Sequence, residues 1–362
     1  MCELEVAPPD RLSADVGPVI SAEALANLNG YVASMRARGF SVHAEPLGEA
    51  TAHGFFIAPT LIEIASVADL GREVFGPVLH VLRYQREALP ELLDALNATG
   101  YALTGGAHSR IDGTIELVSG RLAAGNIYIN RNIIGAVVGV QPFGGHALSG
   151  TGPKAGGPLY LKRLLAGAPA AWPPLPAGEP TVAAKTFMRS LSQRGLGDLV
   201  ERCADLMRAS RLGVELELSG PVGERNLYSL VARGTVLCDA SSEESMIAQI
   251  ACALAAGNRA ALAGPPAAAY LAALPRALRE DVVPVAATDR IDAVLTDREG
   301  AALIELLGAV ARREGPIASV FRYSAEALRR GDPAPLDFLV AERSICINTT
   351  AAGGNASLMT IG

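Results

Sequence analysis

The run Gln141-Pro142-Phe143-Gly144-Gly145-His146-Ala147-Leu148-Ser149-Gly150-Thr151-Gly152-Pro153-Lys154-Ala155-Gly156-Gly157-Pro158 contains six glycines and three prolines. No helix or central strand passes through such a composition, and its backbone can approach a ligand closely. It reads as a binding loop, although a glycine-rich surface connection that binds nothing has the same composition. Other residue types capable of chemistry are dispersed. The five cysteines, Cys2, Cys203, Cys238, Cys252 and Cys346, form no Cys-x-x-Cys pair and have no histidine interleaved at ligand spacing, so neither a disulfide framework nor a zinc site is expected. Cys238, Cys252 and Cys346 sit in apolar runs and read as small buried hydrophobes. The histidines, His43, His53, His80, His108 and His146, have no serine or cysteine partner in a recognisable motif, and none is assigned to catalysis.

The elements that must position the loop follow from periodicity. Ahead of it, the β-branched run Ile127-Tyr128-Ile129 ends at Asn130 and reads as a strand, with a second apolar run over Ile133-Ile134 and Val137-Val138; a short helix-like piece, Leu159 to Leu165, follows the loop. Earlier, Ser21 looks like an N-cap for a helix with Leu25, Leu28, Val32 and Met35 at helical spacing. Strands are predicted over Phe40–His43, Phe55–Ile57, Leu61–Ile64, Val78–Tyr84 and Tyr101–Ala107, and helices over Leu89–Ala98 and Ile111–Gly120. In the second half, Phe187 to Arg208 reads as helices, Val214–Leu218 and Gly234–Cys238 as strands flanking a turn at Gly220-Pro221-Val222-Gly223-Glu224-Arg225-Asn226, and Ser242 as the cap of a helix ending at Gly257-Asn258 before a strand at Ala260–Ala263. This alternation argues for an α/β fold with largely parallel sheets. Residues 166–186, rich in proline, alanine and glycine, read as a stiff linker between domains at 1–165 and 187–362.

With 362 residues, half of them hydrophobic, the chain can bury two or three cores. A net charge of −6 gives no basic stripe for a phosphate backbone, so nucleic acid is not an expected partner. The most apolar window, Met246 to Leu274, is broken by Asn258, Arg259 and Pro265-Pro266, so no transmembrane helix is expected. The acidic start Met1-Cys2-Glu3-Leu4-Glu5 lacks the pattern of a secretory signal, and a cytoplasmic location is expected.

Two pieces of the second half echo the first in the same order. Gly76-Pro77-Val78-Leu79-His80-Val81-Leu82-Arg83-Tyr84 is matched by Gly315-Pro316-Ile317-Ala318-Ser319-Val320-Phe321-Arg322-Tyr323, and Ile127-Tyr128-Ile129-Asn130 by Ile345-Cys346-Ile347-Asn348. A duplicated fold is the expectation. The copies differ where chemistry would sit: Glu73 has Arg312 as its counterpart, and the second copy lacks a Pro-Phe-Gly-Gly element. A nucleotide site in the second half would need the Gly220 to Gly223 turn as a phosphate cradle, and that turn lacks Gly-x-Gly-x-x-Gly spacing.

Glu73-Val74-Phe75-Gly76-Pro77, Asn130, Pro142-Phe143-Gly144-Gly145 and Ser149-Gly150-Thr151-Gly152-Pro153-Lys154-Ala155-Gly156-Gly157-Pro158 resemble the C-terminal half of an aldehyde dehydrogenase. More narrowly the chain is similar to the L-glutamate γ-semialdehyde (1-pyrroline-5-carboxylate) dehydrogenase part of the proline utilization A family. Asn348-Thr349-Thr350-Ala351-Ala352-Gly353-Gly354-Asn355-Ala356-Ser357-Leu358-Met359-Thr360 is similar to the tail of its long members, which carry an extra aldehyde-dehydrogenase-like domain. The resemblance implies an incomplete aldehyde dehydrogenase catalytic domain followed by a degenerate aldehyde-dehydrogenase-like α/β domain, with a hairpin-like tail from Ile345 to Ile361 covering the loop. It implies that Glu73 binds the nicotinamide ribose of NAD with Phe75 near the nicotinamide, that Ser149, Gly150 and Thr151 anchor the substrate's α-carboxylate, and that Phe143 walls its aliphatic chain. Backbone N–H groups and a hydroxyl suit a carboxylate held in fixed geometry.

In that family the cysteine nucleophile, the oxyanion donors and the glutamate base lie upstream of the segment this chain resembles, so no catalytic residue is assigned and only part of an NAD site is expected. FAD belongs to the proline dehydrogenase part, which the chain is not expected to contain. The expected partners are L-glutamate γ-semialdehyde and, through self-association or the missing half, another polypeptide. The competing expectation is a non-catalytic stabilising or oligomerising module.

Overall fold

Ser21 starts the first helix as its type suggests: extended itself, it accepts the Ala24 N–H at 3.1 Å. The computed structural model describes residues 1–150, 152–165, 175–285 and 290–350, and the chain divides into two compact units after Thr99. In the first unit, α1 (Ala22–Ala37) buries Leu28, Val32 and Met35. The strands are β1 (Ser41–Ala44), β2 (Thr60–Ile64) and β3 (Val78–Leu82), with β2 antiparallel to β1 and parallel to β3. Met35 packs with Ile62 and Ile64 at the centre of a small core, and α2 (Leu89–Ala98) closes the unit. The expected strand over Phe55–Ile57 does not form. It lies between Gly54, at φ +115°, and Pro59, a placement that leaves no length for ladder pairing.

The second unit begins with β4 (Tyr101–Ala102) and β5 (Thr104–Ala107), which join two different sheets although their residues read as one strand. Then come α3 (Asp112–Arg121), β6 (Asn126–Ile129), β7 (His146–Ala147), α4 (Val182–Gln193), α5 (Asp198–Arg208), β8 (Glu215–Leu218), β9 (Glu224–Ala232) and β10 (Thr235–Asp239). They are followed by α6 (Glu243–Ala255), β11 (Arg259–Ala263), α7 (Ala267–Ala272), β12 (Val282–Pro284), β13 (Ala293–Thr296), α8 (Gly300–Ala311), β14 (Ser319–Arg322), α9 (Ala325–Arg330) and β15 (Val340–Asn348). One sheet, ordered β12-β11-β10-β13-β14, is parallel throughout. Against it lies α6, capped by Ser242 and buried on every side, which places it at the middle of the largest apolar core.

The sheet that matters for the loop is ordered β5-β6-β15-β9-β8. Its β6 and β15 are the echoed segments, and they lie side by side in parallel, with Ile345 opposite Ile127, Cys346 opposite Tyr128 and Ile347 opposite Ile129. The other echoed pair, β3 and β14, each forms the parallel edge strand of its sheet. Residues Glu224 to Ala232, partly read as a turn, form the long strand β9 antiparallel to β15. The turn at Gly220 to Gly223 therefore joins two antiparallel strands, not a strand and a helix, and has no helix N-terminus at which to hold a phosphate. No helix among the described residues is long and apolar enough to cross a membrane.

Candidate functional site

The loop 141–158 closes on itself as a two-limbed structure. Phe143 and Ala155 exchange backbone hydrogen bonds of 3.0 and 2.8 Å across its base. Above that base, β7 pairs antiparallel with β4, and a tight turn follows in which Ser149 N–H donates to His146 O at 2.9 Å and Gly150 N–H to Ala147 O at 3.0 Å. Ala147 takes φ +50°, a conformation that costs a residue with a Cβ roughly 1–2 kcal/mol. Gly145 is required by contact: a Cβ there would lie 2.7 Å from both Cβ and O of Ser149.

Phe143, Ser149 and Gly150 thus share one loop of the second unit, and Thr151 lies outside the described residues. The N–H groups of Leu148, Ser149 and Gly150 are all engaged within the unit. Ser149 Oγ accepts the Ala102 N–H at 3.1 Å, which leaves the hydroxyl its own hydrogen to donate. Ser149 is therefore an oriented donor at the tip of a rigid turn. Glu73 and Phe75 occupy the turn that enters β3 in the first unit; both are exposed, Phe75 at 89%. Tail residues 351–361 lie outside the described residues, while Ile345 to Asn348 belong to β15.

The base of the loop carries a buried polar cluster that the sequence reading did not single out. Lys154 is only 2% exposed. Its ammonium donates to Asn126 Oδ1 at 2.8 Å and Gly144 O at 2.5 Å, and its backbone N–H donates to Glu342 Oε2 at 2.6 Å. The other oxygen of Glu342 accepts from the Tyr228 hydroxyl at 2.7 Å. Burial brings the Lys154 pKa down to about 7 against the opposing pull of the Glu342 charge. Burial likewise raises the Glu342 carboxyl, opposed by the hydrogen bonds it accepts from Lys154 and Tyr228. The His146 ring nitrogens face Ala123 O at 3.1 Å and Glu342 O at 2.9 Å; burial lowers its pKa while those two carbonyls pull it up.

A second set of contacts holds the limb before Phe143. Gln141 Nε2 lies 3.0 Å from Asn226 Oδ1 and 3.1 Å from Cys346 Sγ, Ser344 Oγ donates to Pro142 O at 2.9 Å, and Arg131 pairs with Glu224 at 2.7 Å. One signal for these partners was present in the sequence. In Val340-Ala341-Glu342-Arg343-Ser344-Ile345-Cys346, Glu342 falls on the buried register of a period-two pattern.

The four cysteines of the second unit do not offer a thiolate. Cys203, Cys238, Cys252 and Cys346 are buried, and burial raises each thiol, Cys203 to about 12. Among the described residues no group of His, Cys, Asp and Glu could hold a metal ion. At the carboxyl ends of β10 and β13, where the order of the parallel sheet reverses and α/β folds usually bind ligands, Asp239 is held by Arg298 at 2.6 and 2.9 Å and by Thr296 at 3.0 Å. The chain's own ion pair sits there.

The sequence profile of the Aldehyde dehydrogenase family matches residues 1–166. Over these residues the chain is similar to the aldehyde dehydrogenases. That segment takes in the first unit, the loop 141–158 and its partners Ala102 and Asn126, whereas its partners Glu224, Asn226, Glu342 and Cys346, and Tyr228, which holds Glu342, lie beyond it. Beyond this aldehyde dehydrogenase segment the likeness continues. The chain is 47% identical over 362 residues to the bifunctional protein PutA of Rhizobium meliloti, covering 98% of this chain and 29% of that protein. It is 39% identical over 162 residues to a 1-pyrroline-5-carboxylate dehydrogenase of Bacillus mycoides, covering 44% of this chain and 30% of that one. The chain thus spans less than a third of the length of the curated relatives it matches. The solved structure of proline utilization A from Corynebacterium freiburgense, 21% identical, shares the fold with a TM-score of 0.62, over 96% of this chain and 33% of that one.

Proposed function

We propose that the chain forms part of an NAD-dependent L-glutamate γ-semialdehyde (1-pyrroline-5-carboxylate) dehydrogenase acting in proline catabolism. The overall reaction takes the aldehyde, water and NAD+ to L-glutamate, NADH and two protons, with NAD accepting the hydride. In this reading the Ser149 hydroxyl and Thr151 anchor the α-carboxylate of the substrate, Gly150, whose N–H is taken by Ala147 O, closes the turn that presents them, and Phe143 lines the aliphatic chain. Glu73 accepts from the nicotinamide ribose hydroxyls, and Phe75 packs near the ring. The residues suit those ligands: Glu73 has no hydrogen-bond or ion-pair partner among the described residues, so its oxygens are available as acceptors. The observation that carries the proposal is the Ser149 hydroxyl, fixed as an acceptor by Ala102 N–H and left with one hydrogen to give to a carboxylate. The 39% identity of 162 residues of the chain to a 1-pyrroline-5-carboxylate dehydrogenase supports the choice of substrate.

A second reading makes this polypeptide a non-catalytic module that supports such a site, and the buried, raised thiols of Cys203, Cys238, Cys252 and Cys346 favour it. Incubating the purified chain with NAD and L-glutamate γ-semialdehyde and following NADH absorbance separates the two. No NADH is expected from the supporting module. Turnover that one of the five cysteine-to-alanine variants abolishes would establish the chain as a catalyst in its own right.

A further inference from the structure

The buried cluster under the loop has no part in the proposed chemistry, and its geometry points to a use. Lys154 touches three separate pieces of the second unit: the opposite limb of its own loop through Gly144 O, strand β6 through Asn126 Oδ1, and strand β15 through Glu342. Asn126 Nδ2 adds donations of 3.0 Å to the same Gly144 O and 2.8 Å to Leu103 O. Gly157 completes the fit, since a Cβ there would lie 2.7 Å from Glu342 Oε1. Glu342 is held in turn by Tyr228 of β9. The two limbs are thereby fixed to each other and to the sheet directly below the tip that carries Ser149.

We infer that Lys154 and Glu342 are positioning residues that set the Ser149 hydroxyl for a carboxylate ligand, so that strand β15, outside the aldehyde dehydrogenase segment, governs the affinity of the anchor. This rests on reading the loop as a carboxylate anchor. The chemistry of the pair suits positioning. A buried ammonium is unfavourable unless its donors are satisfied, so every conformation that separates Gly144 O from Asn126 Oδ1 leaves it unpaired. Glu342 acts on the other side of Lys154, at the backbone, and so resists sliding of the limb along the sheet. Displacing an anchoring group by about 1 Å is enough to lose on the order of a hundredfold in a positioned reaction or contact. The charged and titratable groups that bear on Lys154 are Glu342 on β15 and His146 on β7; Tyr228 on β9 bears in turn on Glu342, and Arg343, whose guanidinium donates to Ser119 O and to Leu122 O at 3.2 Å, bears on His146.

The test titrates L-glutamate, the dehydrogenase product, into the purified 362-residue chain by calorimetry, alongside Lys154→Met, Glu342→Leu and Glu342→Gln. Glutamine keeps an acceptor for the Lys154 N–H, and the Tyr228 hydroxyl can turn to accept from its amide. Lys154→Met and Glu342→Leu are expected to weaken binding about tenfold or more, and Glu342→Gln to restore it to within about threefold of the parent. The Ser149 amide resonance of the free protein should shift in the first two variants and stay near its parent position in the third. If Lys154→Met does not fold, the Glu342→Leu and Glu342→Gln pair gives the same comparison. Parent-like affinity in Glu342→Leu, or equal loss in Glu342→Leu and Glu342→Gln, overturns the positioning role while leaving the anchor intact. A parent chain that binds no L-glutamate overturns the anchor itself.

Discussion

Lys154 costs stability wherever it is charged, because only 2% of it is exposed. Its folded pKa, about 7, lies below the value of about 10.4 for an unfolded chain, so between those limits the unfolded state binds more protons than the folded one. Stability therefore rises as pH increases from about 7 towards about 10.4, and the penalty is fully present below that window. Thermal melts at pH 7 and pH 10 should show the parent gaining on Lys154→Met across the interval; parallel changes in the two proteins would contradict the assignment. Ser149→Ala is expected to abolish measurable L-glutamate binding with a change in stability of about 1 kcal/mol, the net worth of its hydrogen bond to Ala102 N–H. A calorimetric titration beside a urea melt checks both. Of these residues, Ser149 was named only through the resemblance of its loop to aldehyde dehydrogenases, since a glycine-rich run by itself marks a loop and no particular residue in it. Lys154 lay in the same run without a role, because nothing local announces that a lysine among glycines will be covered by a strand 188 residues away.

The loop is made by contacts of two kinds, its own turn and a platform of β6, β9 and β15. Gly157 sits where they meet. Gly157→Ala places a Cβ 2.7 Å from Glu342 Oε1 and 3.0 Å from Lys154 O, and overpacking of this kind costs about 1–3 kcal/mol. In a Glu342→Ala background the oxygen is gone and the cost of Gly157→Ala should fall, so a double-mutant cycle measured by urea denaturation ought to show coupling. Additive losses would mean that the two positions do not meet. Elements with a complete local signature were readable: α2 spans Leu89–Ala98 as its apolar spacing predicts, and Ser242 caps α6. Strand β9 was not, because Glu224-Arg225-Asn226 directly follows a Gly-Pro-Val-Gly turn and looks like its continuation. Pairing with β15, and at Asn226 with β8 as well, makes those residues a strand. The same pairing explains the platform, since the register of β15 against β6 and β9 is set by tertiary contact.

At the level of the whole chain, apolar surface is the main feature still to be accounted for. Ile134 is 91% exposed, Val138 97% and Phe75 89%, and large apolar groups left in water favour association. The purified chain is expected to self-associate, and Ile134→Ser with Val138→Ser to reduce that association in light scattering behind size exclusion. A monodisperse monomer unchanged by the double substitution would count against it. The α/β class and the echo between the two halves were both visible in the sequence. It could not reveal that two of the echoed segments lie against each other as β6 and β15, since pairing between segments more than 200 residues apart leaves no periodic trace. The boundary after Thr99 was equally invisible, as no proline- or glycine-rich run marks it.

The central claim is that the tip around Ser149 is a carboxylate anchor for a glutamate-like ligand. The most direct measurement titrates L-glutamate into the isotope-labelled chain and follows the backbone amide resonances of Ser149 and Gly150 by nuclear magnetic resonance. Saturable shifts at these two amides, lost in Ser149→Ala, are the expected result. Amides at the tip that stay in place while L-glutamate reaches millimolar concentration, or that move equally in Ser149→Ala, would contradict it.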